Sequence, residues 1–191
     1  MKMRTMFFLM LFLILISGCA TTSDQSAQMM NFVKTVVYDN SVDYPVSGVY
    51  AWYSKRQPIP ENPMMDSQQL DKIIQGALKK EFHARGFSLK ESGDVHFYVS
   101  YHLVIDNRDD DQDINEAYSR PKSPDRWWPG TNTPKVYPQG SLLVDIVCAQ
   151  DFCPRWRGSV GAQILPGLSE QDRINRIEAA VNSLLLDFPP L

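Results

Sequence analysis

Asp94-Val95-His96-Phe97-Tyr98-Val99-Ser100-Tyr101-His102-Leu103-Val104-Ile105 alternates along its whole length. Val95, Phe97, Val99, Tyr101 and Leu103 fall on one side, and Asp94, His96, Tyr98, Ser100 and His102 on the other. A period of two with one apolar and one polar side describes a strand in a sheet covered on one face only. The rest of the fold follows from asking what covers it.

Upstream, Asp66-Ser67-Gln68-Gln69 reads as an N-cap with a capping-box partner at the third helical position. Leu70, Ile73, Ile74, Ala77, Leu78 and Phe82 follow at helical spacing, and Gly86 supplies the stop. Before that helix, Phe32–Tyr38 and Gly48–Tyr53 are β-branched and aromatic runs separated by turn residues, so they read as two strands. Downstream, Ser141–Cys148 and Arg155–Ile164 form an expected hairpin. Ser169 then caps a second helix with its apolar side at Ile174, Ile177, Val181, Leu184, Leu185 and Phe188, ended by Pro189-Pro190. The expected fold is a two-layer α+β sandwich: a mixed sheet of about five strands with two amphipathic helices on one face. Gly48 to Ile105 forms a strand-helix-strand unit whose two strands run parallel by a right-handed crossover.

The N-terminus assigns a place. Met-Lys-Met-Arg precedes an apolar run from Met6 to Ile16, which at 1.5 Å per residue spans about 16 Å, roughly half a ~30 Å bilayer core. Such a run fits a secretory signal rather than a spanning helix. Ile16-Ser17-Gly18-Cys19 resembles the lipobox of bacterial lipoproteins, which implies cleavage after residue 18, lipid on Cys19 and three acyl chains, enough for lasting anchorage. Ala20 rather than Asp after the cysteine implies the outer membrane, with the domain on its periplasmic side. Residues 1–18 are thus expected to be a signal peptide, 19–31 a lipidated cysteine and flexible tether, and 32–191 a single domain. Loss of Lys2 and Arg4 lowers the 19 basic side chains by two against 22 acidic ones, so net charge goes from −3 to −5. A mildly acidic chain without a Lys/Arg cluster offers no footprint for nucleic acid, so lipid supplies the membrane attachment.

With Cys19 lipidated, two cysteines remain in an oxidising compartment, and Cys148 and Cys153 are expected to form a disulfide closing the turn Ala149–Phe152. Two ligands make a poor zinc site, and the spacing is not Cys-x-x-Cys. The hairpin carries a conflict. If Cys148 opposes Cys153, strict alternation puts Arg155 and Arg157 on the side of Val144 and Ile146, and Trp156 on that of Asp145. One extra residue returns Trp156 to the apolar side, so a bulge is expected at Cys153-Pro154.

Tyr50-Ala51-Trp52, Gly86 ending the first helix, Asp94-Val95, Gly140-Ser141-Leu142-Leu143-Val144-Asp145, Trp156-Arg157-Gly158 and Phe188-Pro189-Pro190 follow one another along the chain. Together they resemble the family of unknown function DUF4136, whose members are bacterial lipoproteins. The resemblance runs from about Val33 to Pro190 and implies a lipid-anchored envelope protein without established catalytic residues. Cys148 departs from it, since members usually carry an acidic residue there.

No catalytic motif of the Gly-x-Ser-x-Gly, His-Glu-x-x-His or P-loop kind is present, and neither metal nor cofactor is implied. The acidic stretch 106–116 lacks the Gly and Glu of an EF-hand in any frame, so a solvated loop is the expectation, with a non-EF calcium site as the alternative. His96 and His102 lie ~20 Å apart along a strand, too far to share a metal; with His83 they are taken as surface or packing residues. Asp145 and Arg157 face one another across the hairpin, as a structural ion pair or a catalytic one, the former preferred. The long loop Ala117–Gln139 is the main candidate for partner binding, through Tyr118, Trp127, Trp128 and Tyr137 among five prolines. Its indoles either anchor an envelope protein or glycan, or fold back over the bare sheet face. The expected function is that of a non-enzymatic envelope accessory protein; the alternative is a periplasmic enzyme or glycan-binding module using loop 117–139.

Overall fold

Among the described residues the chain runs through β1 (Phe32–Tyr38), β2 (Gly48–Trp52), α1 (Ser67–Ala84), β3 (Phe87–Leu89), β4 (Phe97–Val104), β5 (Ser141–Cys148), β6 (Pro154–Ala162) and α2 (Glu170–Leu185). The structure is a computed structural model that describes residues 31–54, 58–61, 65–91, 93–104, 140–162, 165 and 167–189. The strands form one six-stranded sheet in the order β1-β6-β5-β4-β2-β3. β2 runs parallel to both β3 and β4, while β4, β5, β6 and β1 are joined antiparallel. Both helices pack on one face of this mixed sheet, so the fold is an α+β two-layer sandwich.

α1 starts where the sequence places it: the Asp66 carboxylate accepts from Gln69 N–H at 2.9 Å. The Gln69 side chain does not return to the cap. It donates instead to Glu170 at the start of α2 and ties the two helices together. At the other end Arg85 N–H donates to Phe82 O at 3.1 Å and Gly86 N–H to His83 O at 3.0 Å. The reversal needs Gly86 at φ 82°, in the left-handed region where glycine has no Cβ penalty. The chain then enters β3 at once. This strand falls outside the expected set because three residues directly after a helix stop carry no legible alternation.

The core lies between helices and sheet. Leu70, Ile74, Ala77, Leu78 and Phe82 of α1 and Val181, Leu184 and Leu185 of α2 meet Phe97, Val99, Tyr101, Leu142, Val144, Ile146, Trp156 and Val160 of the sheet. Phe188, just past α2, sits within 5.4–6.2 Å of the rings of Trp156, Phe87, Phe97, Phe82 and Tyr44. Burial of each such side chain contributes about 1.5–3 kcal/mol before edge-to-face contacts add to it.

Trp156 reaches this core because the hairpin is bulged. Val147 pairs with Pro154 but Ile146 pairs with Trp156, leaving Arg155 as the extra residue. The bulge therefore lies one residue beyond the expected Cys153-Pro154, since Pro154 still takes a partner in the ladder. Its consequence is the expected one. Trp156 points to the helices, 0% exposed, and its indole N–H donates to Asp187 O at 3.3 Å.

Gly158 makes room for that indole. A Cβ there would lie 2.4 Å from Trp156 Cη2 and 2.6 Å from Leu184 Cδ1. Both atoms belong to fully buried side chains, so neither swings clear. Gly158→Ala is expected to destabilise the fold by about 1–3 kcal/mol in urea unfolding, against the small gain a strand normally draws from losing a glycine; a neutral or stabilising result would contradict the packing described.

Candidate functional site

Alternation along β4, β5 and β6 sends Ser100, His102, Asp145 and Arg157 to the face opposite the helices, where the sequence places a solvated polar surface. That expectation is corrected: Ser100 and Asp145 are 0% exposed, Arg157 2% and His102 6%. Charge at these depths is sustainable only if neutralised and hydrogen-bonded. Arg157 stands directly opposite Asp145 in the ladder. Its Nε donates to Oδ1 at 2.6 Å and its Nη2 to Oδ2 at 2.8 Å, a two-pronged contact on both carboxylate oxygens.

Ser100, His102 and Asp145 invite comparison with a nucleophile, base and orienting acid. His102 Nε2 lies 3.4 Å from Ser100 Oγ and 3.9 Å from Asp145 Oδ2. Both neighbours thus crowd one ring nitrogen, whereas a relay needs serine and acid on opposite nitrogens. The carboxylate is also already engaged by Arg157, and the serine is buried. The arrangement is an ion pair with polar neighbours, so the structural reading of Asp145 and Arg157 is the one the geometry supports.

A second polar cluster, at the hairpin turn, escaped the sequence reading. The bulge residue Arg155 donates from Nη1 to Asp39 Oδ2 at 3.0 Å and from Nη2 to Asp151 Oδ2 at 2.8 Å. Asp39, at 2% exposure, also accepts from Ser41 N–H at 2.9 Å, and the Tyr44 hydroxyl donates to Arg155 O. Burial pushes the Tyr44 hydroxyl well above the ordinary tyrosine range. Asp39-Asn40 reads as turn punctuation, and nothing local signals that its carboxylate meets an arginine from a distant bulge.

In this turn the expected Cys148–Cys153 disulfide is not shown. The structure holds two thiols, with Cys148 Sγ donating to Gln150 Oε1 at 2.8 Å and Cys153 Sγ to Asp151 O at 3.4 Å. His83 and His96 are exposed, and His96 Nδ1 accepts from Val49 N–H at 3.1 Å, a packing role. Among the described residues no group of three or more His, Cys, Asp or Glu is placed to hold a metal. Cys19, the acidic stretch 106–116 and loop 117–139 with Tyr118, Trp127, Trp128 and Tyr137 lie outside the described residues.

The fold defines a two-layer α+β sandwich, and among the described residues its buried polar groups centre on the Asp145–Arg157 ion pair. The chain belongs to the family described as Domain of unknown function (DUF4136), which matches residues 34–190. No curated protein matches it. Among solved structures, a PDZ domain protein from Parabacteroides distasonis is similar at 12% identity and TM-score 0.46, over 88% of this chain and 39% of that one. The chain therefore spans well under half of that protein. A PelC dodecamer from Paraburkholderia phytofirmans is similar at 8% identity and TM-score 0.42, over 81% and 95%. No function is carried over from likenesses of this strength.

Two measurements test the polar clusters. Arg157→Met takes the guanidinium away from a buried carboxylate and is expected to cost about 3–5 kcal/mol, whereas Asp145→Leu combined with Arg157→Met recovers most of that loss. Additive losses in the double variant would show that the two are not coupled. At the turn, burial alone would raise the Asp151 pKa, but hydrogen bonds from Cys153 and Cys148 and the Arg155 charge hold it below the ordinary 3.8. A carboxyl depressed in the native state contributes stability that is present above its unfolded pKa and lost as pH falls through the native one. Asp151→Asn should therefore flatten part of the stability loss seen below about pH 4; identical acid profiles for variant and wild type would remove Asp151 from that balance.

Proposed function

We propose that the protein is a lipid-anchored lipoprotein of the bacterial outer membrane, with its folded domain facing the periplasm as a non-enzymatic accessory or interaction protein of the envelope. The observation that carries the reading is Ile16-Ser17-Gly18-Cys19 at the end of a short apolar run. Aliphatic, small, small and cysteine at that position suit diacylglycerol transfer to the thiol, and three acyl chains hold a domain at a membrane without help from charge. Membership in DUF4136 brings no assigned activity with it. The buried set at Ser100, His102, Asp145 and Arg157 supports the non-enzymatic half, because its geometry and burial suit a structural ion pair. Attachment through Cys19 also fits a chain in which no described helix is long and apolar enough to cross a membrane.

In a Gram-negative host the wild type is expected in the outer-membrane fraction and labelled by a fatty-acid analogue. Cys19→Ala should lose the label and leave the outer membrane. Retention of the variant there would overturn the anchor, and crosslinking in living cells then identifies the envelope protein or glycan that the anchored domain meets.

A further inference from the structure

We propose that Cys148 and Cys153 form a reversible thiol–disulfide exchange site built into the β5–β6 turn, oxidised by a small or protein disulfide with Cys148 as the attacking sulfur. The turn accommodates both states. In the thiol form each sulfur has its own acceptor, Gln150 Oε1 for Cys148 and Asp151 O for Cys153. Asp151 is fixed in turn by Cys153 N–H at 3.0 Å and by Arg155 at 2.8 Å. Reduction therefore leaves the thiols hydrogen-bonded within a turn that keeps its shape.

The disulfide form is within reach of the same backbone. Cys148 N–H donates to Cys153 O at 2.9 Å and Phe152 N–H to Cys148 O at 3.1 Å, so backbone hydrogen bonds hold the two cysteines across the mouth of the turn, one step beyond the last paired rung, Val147 with Pro154. Facing residues of an antiparallel pair have Cβ atoms about 4.5–5.5 Å apart, and a disulfide needs about 3.5–4.5 Å, a closure that residues outside the ladder can absorb. Phe152 between them holds φ 54°, which bends the chain back toward Cys148.

The two sulfurs differ in access, which orders the steps. Cys148 is half-buried and Cys153 is 3% exposed. Cys148, as thiolate, attacks one sulfur of the incoming disulfide and releases the other half as a thiol. Cys153, as thiolate, then attacks Cys148 Sγ, releasing the second half. Two protein thiols are oxidised, one external disulfide is reduced to two thiols, and the protons pass to the released thiols. The site stands apart from the lipoprotein reading, and its test needs no membrane.

The full chain is reduced, equilibrated in mixtures of reduced and oxidised glutathione, alkylated and digested with trypsin. Both cysteines fall in one peptide between Lys135 and Arg155, separate from Cys19. The expected result is replacement of the doubly alkylated peptide by an unalkylated one that is two hydrogens lighter than the reduced, unmodified peptide and carries no glutathione, reversed by dithiothreitol. The oxidised protein should melt about 4–8 °C higher than the reduced one, a shift absent from Cys148→Ser. Cys153→Ser should hold a glutathione adduct on Cys148 that the wild type resolves. Persistent double alkylation, or an unresolved adduct on the wild type, would overturn the exchange site; an adduct-free Cys148 in Cys153→Ser would overturn the order of attack.

Discussion

One inserted residue, Arg155, governs which side chains β6 sends to each face of the sheet. Side chains alternate with a period of two, so without it every residue of β6 would exchange faces. Trp156 would leave the helices and Arg157 would enter the apolar core, far from Asp145. With the insertion, a single strand sends an indole to one face and a guanidinium to the other, each against a partner that suits it. Pro154 helps locate the shift. It cannot donate to the ladder, so the rung it shares with Val147 is already weak, and irregularity one residue later costs little hydrogen bonding. The side chain of the inserted residue is then held from two directions, by Asp39 at the end of β1 and by Asp151 in the turn.

The helix face depends on the same placement. Trp156 is pinned by Phe188 at 5.4 Å and by its hydrogen bond to Asp187 O, both just beyond α2. Lys34 of β1 reaches the same segment, 2.6 Å from Asp187 Oδ2, and Arg85 Nε donates to Leu185 O at 2.9 Å. The end of α2 is thereby joined to both strands at one side of the sheet and to the end of α1. Gly158 completes the arrangement by leaving the space that Leu184 and the indole share.

Much of this was legible from side-chain period. The Phe32–Tyr38 strand, the Asp66 and Ser169 caps and the apolar stripes of both helices follow from spacing and residue type alone, whereas the Asp145–Arg157 pairing follows only once a bulge is allowed. The need for a bulge was legible as well, because two apolar patterns could not be satisfied without it. Its position was not, since a proline that cannot donate can still occupy a rung. β3 was hidden because three residues are too few to show a period. The burial of Ser100 and His102 was hidden for a different reason. Polar residues at alternate positions look the same whether they face water or a neutralised ion pair, and sequence alone does not separate the two. The disulfide was inferred from compartment chemistry, and the structure instead holds two hydrogen-bonded thiols.

The buried ion pair then has a role that its energy alone does not explain. Desolvating both charges offsets much of their attraction, so an apolar pair of similar volume would stabilise the sheet about as well. What the apolar pair lacks is a penalty for error. β6 carries Gly158 and Gly161 with Ser159 and Val160 between them, a stretch whose small side chains distinguish poorly between registers, and its neighbour β5 is apolar on both faces apart from Ser141 and Asp145. A slip of one residue there would cost little among those small groups, although it would also carry Trp156 out of the core. With Arg157 in the strand, the same slip drives a guanidinium toward Val181 and Leu184 and strands Asp145 without its partner, a penalty of several kcal/mol. The pair therefore selects against the misregistered sheet more than it favours the correct one.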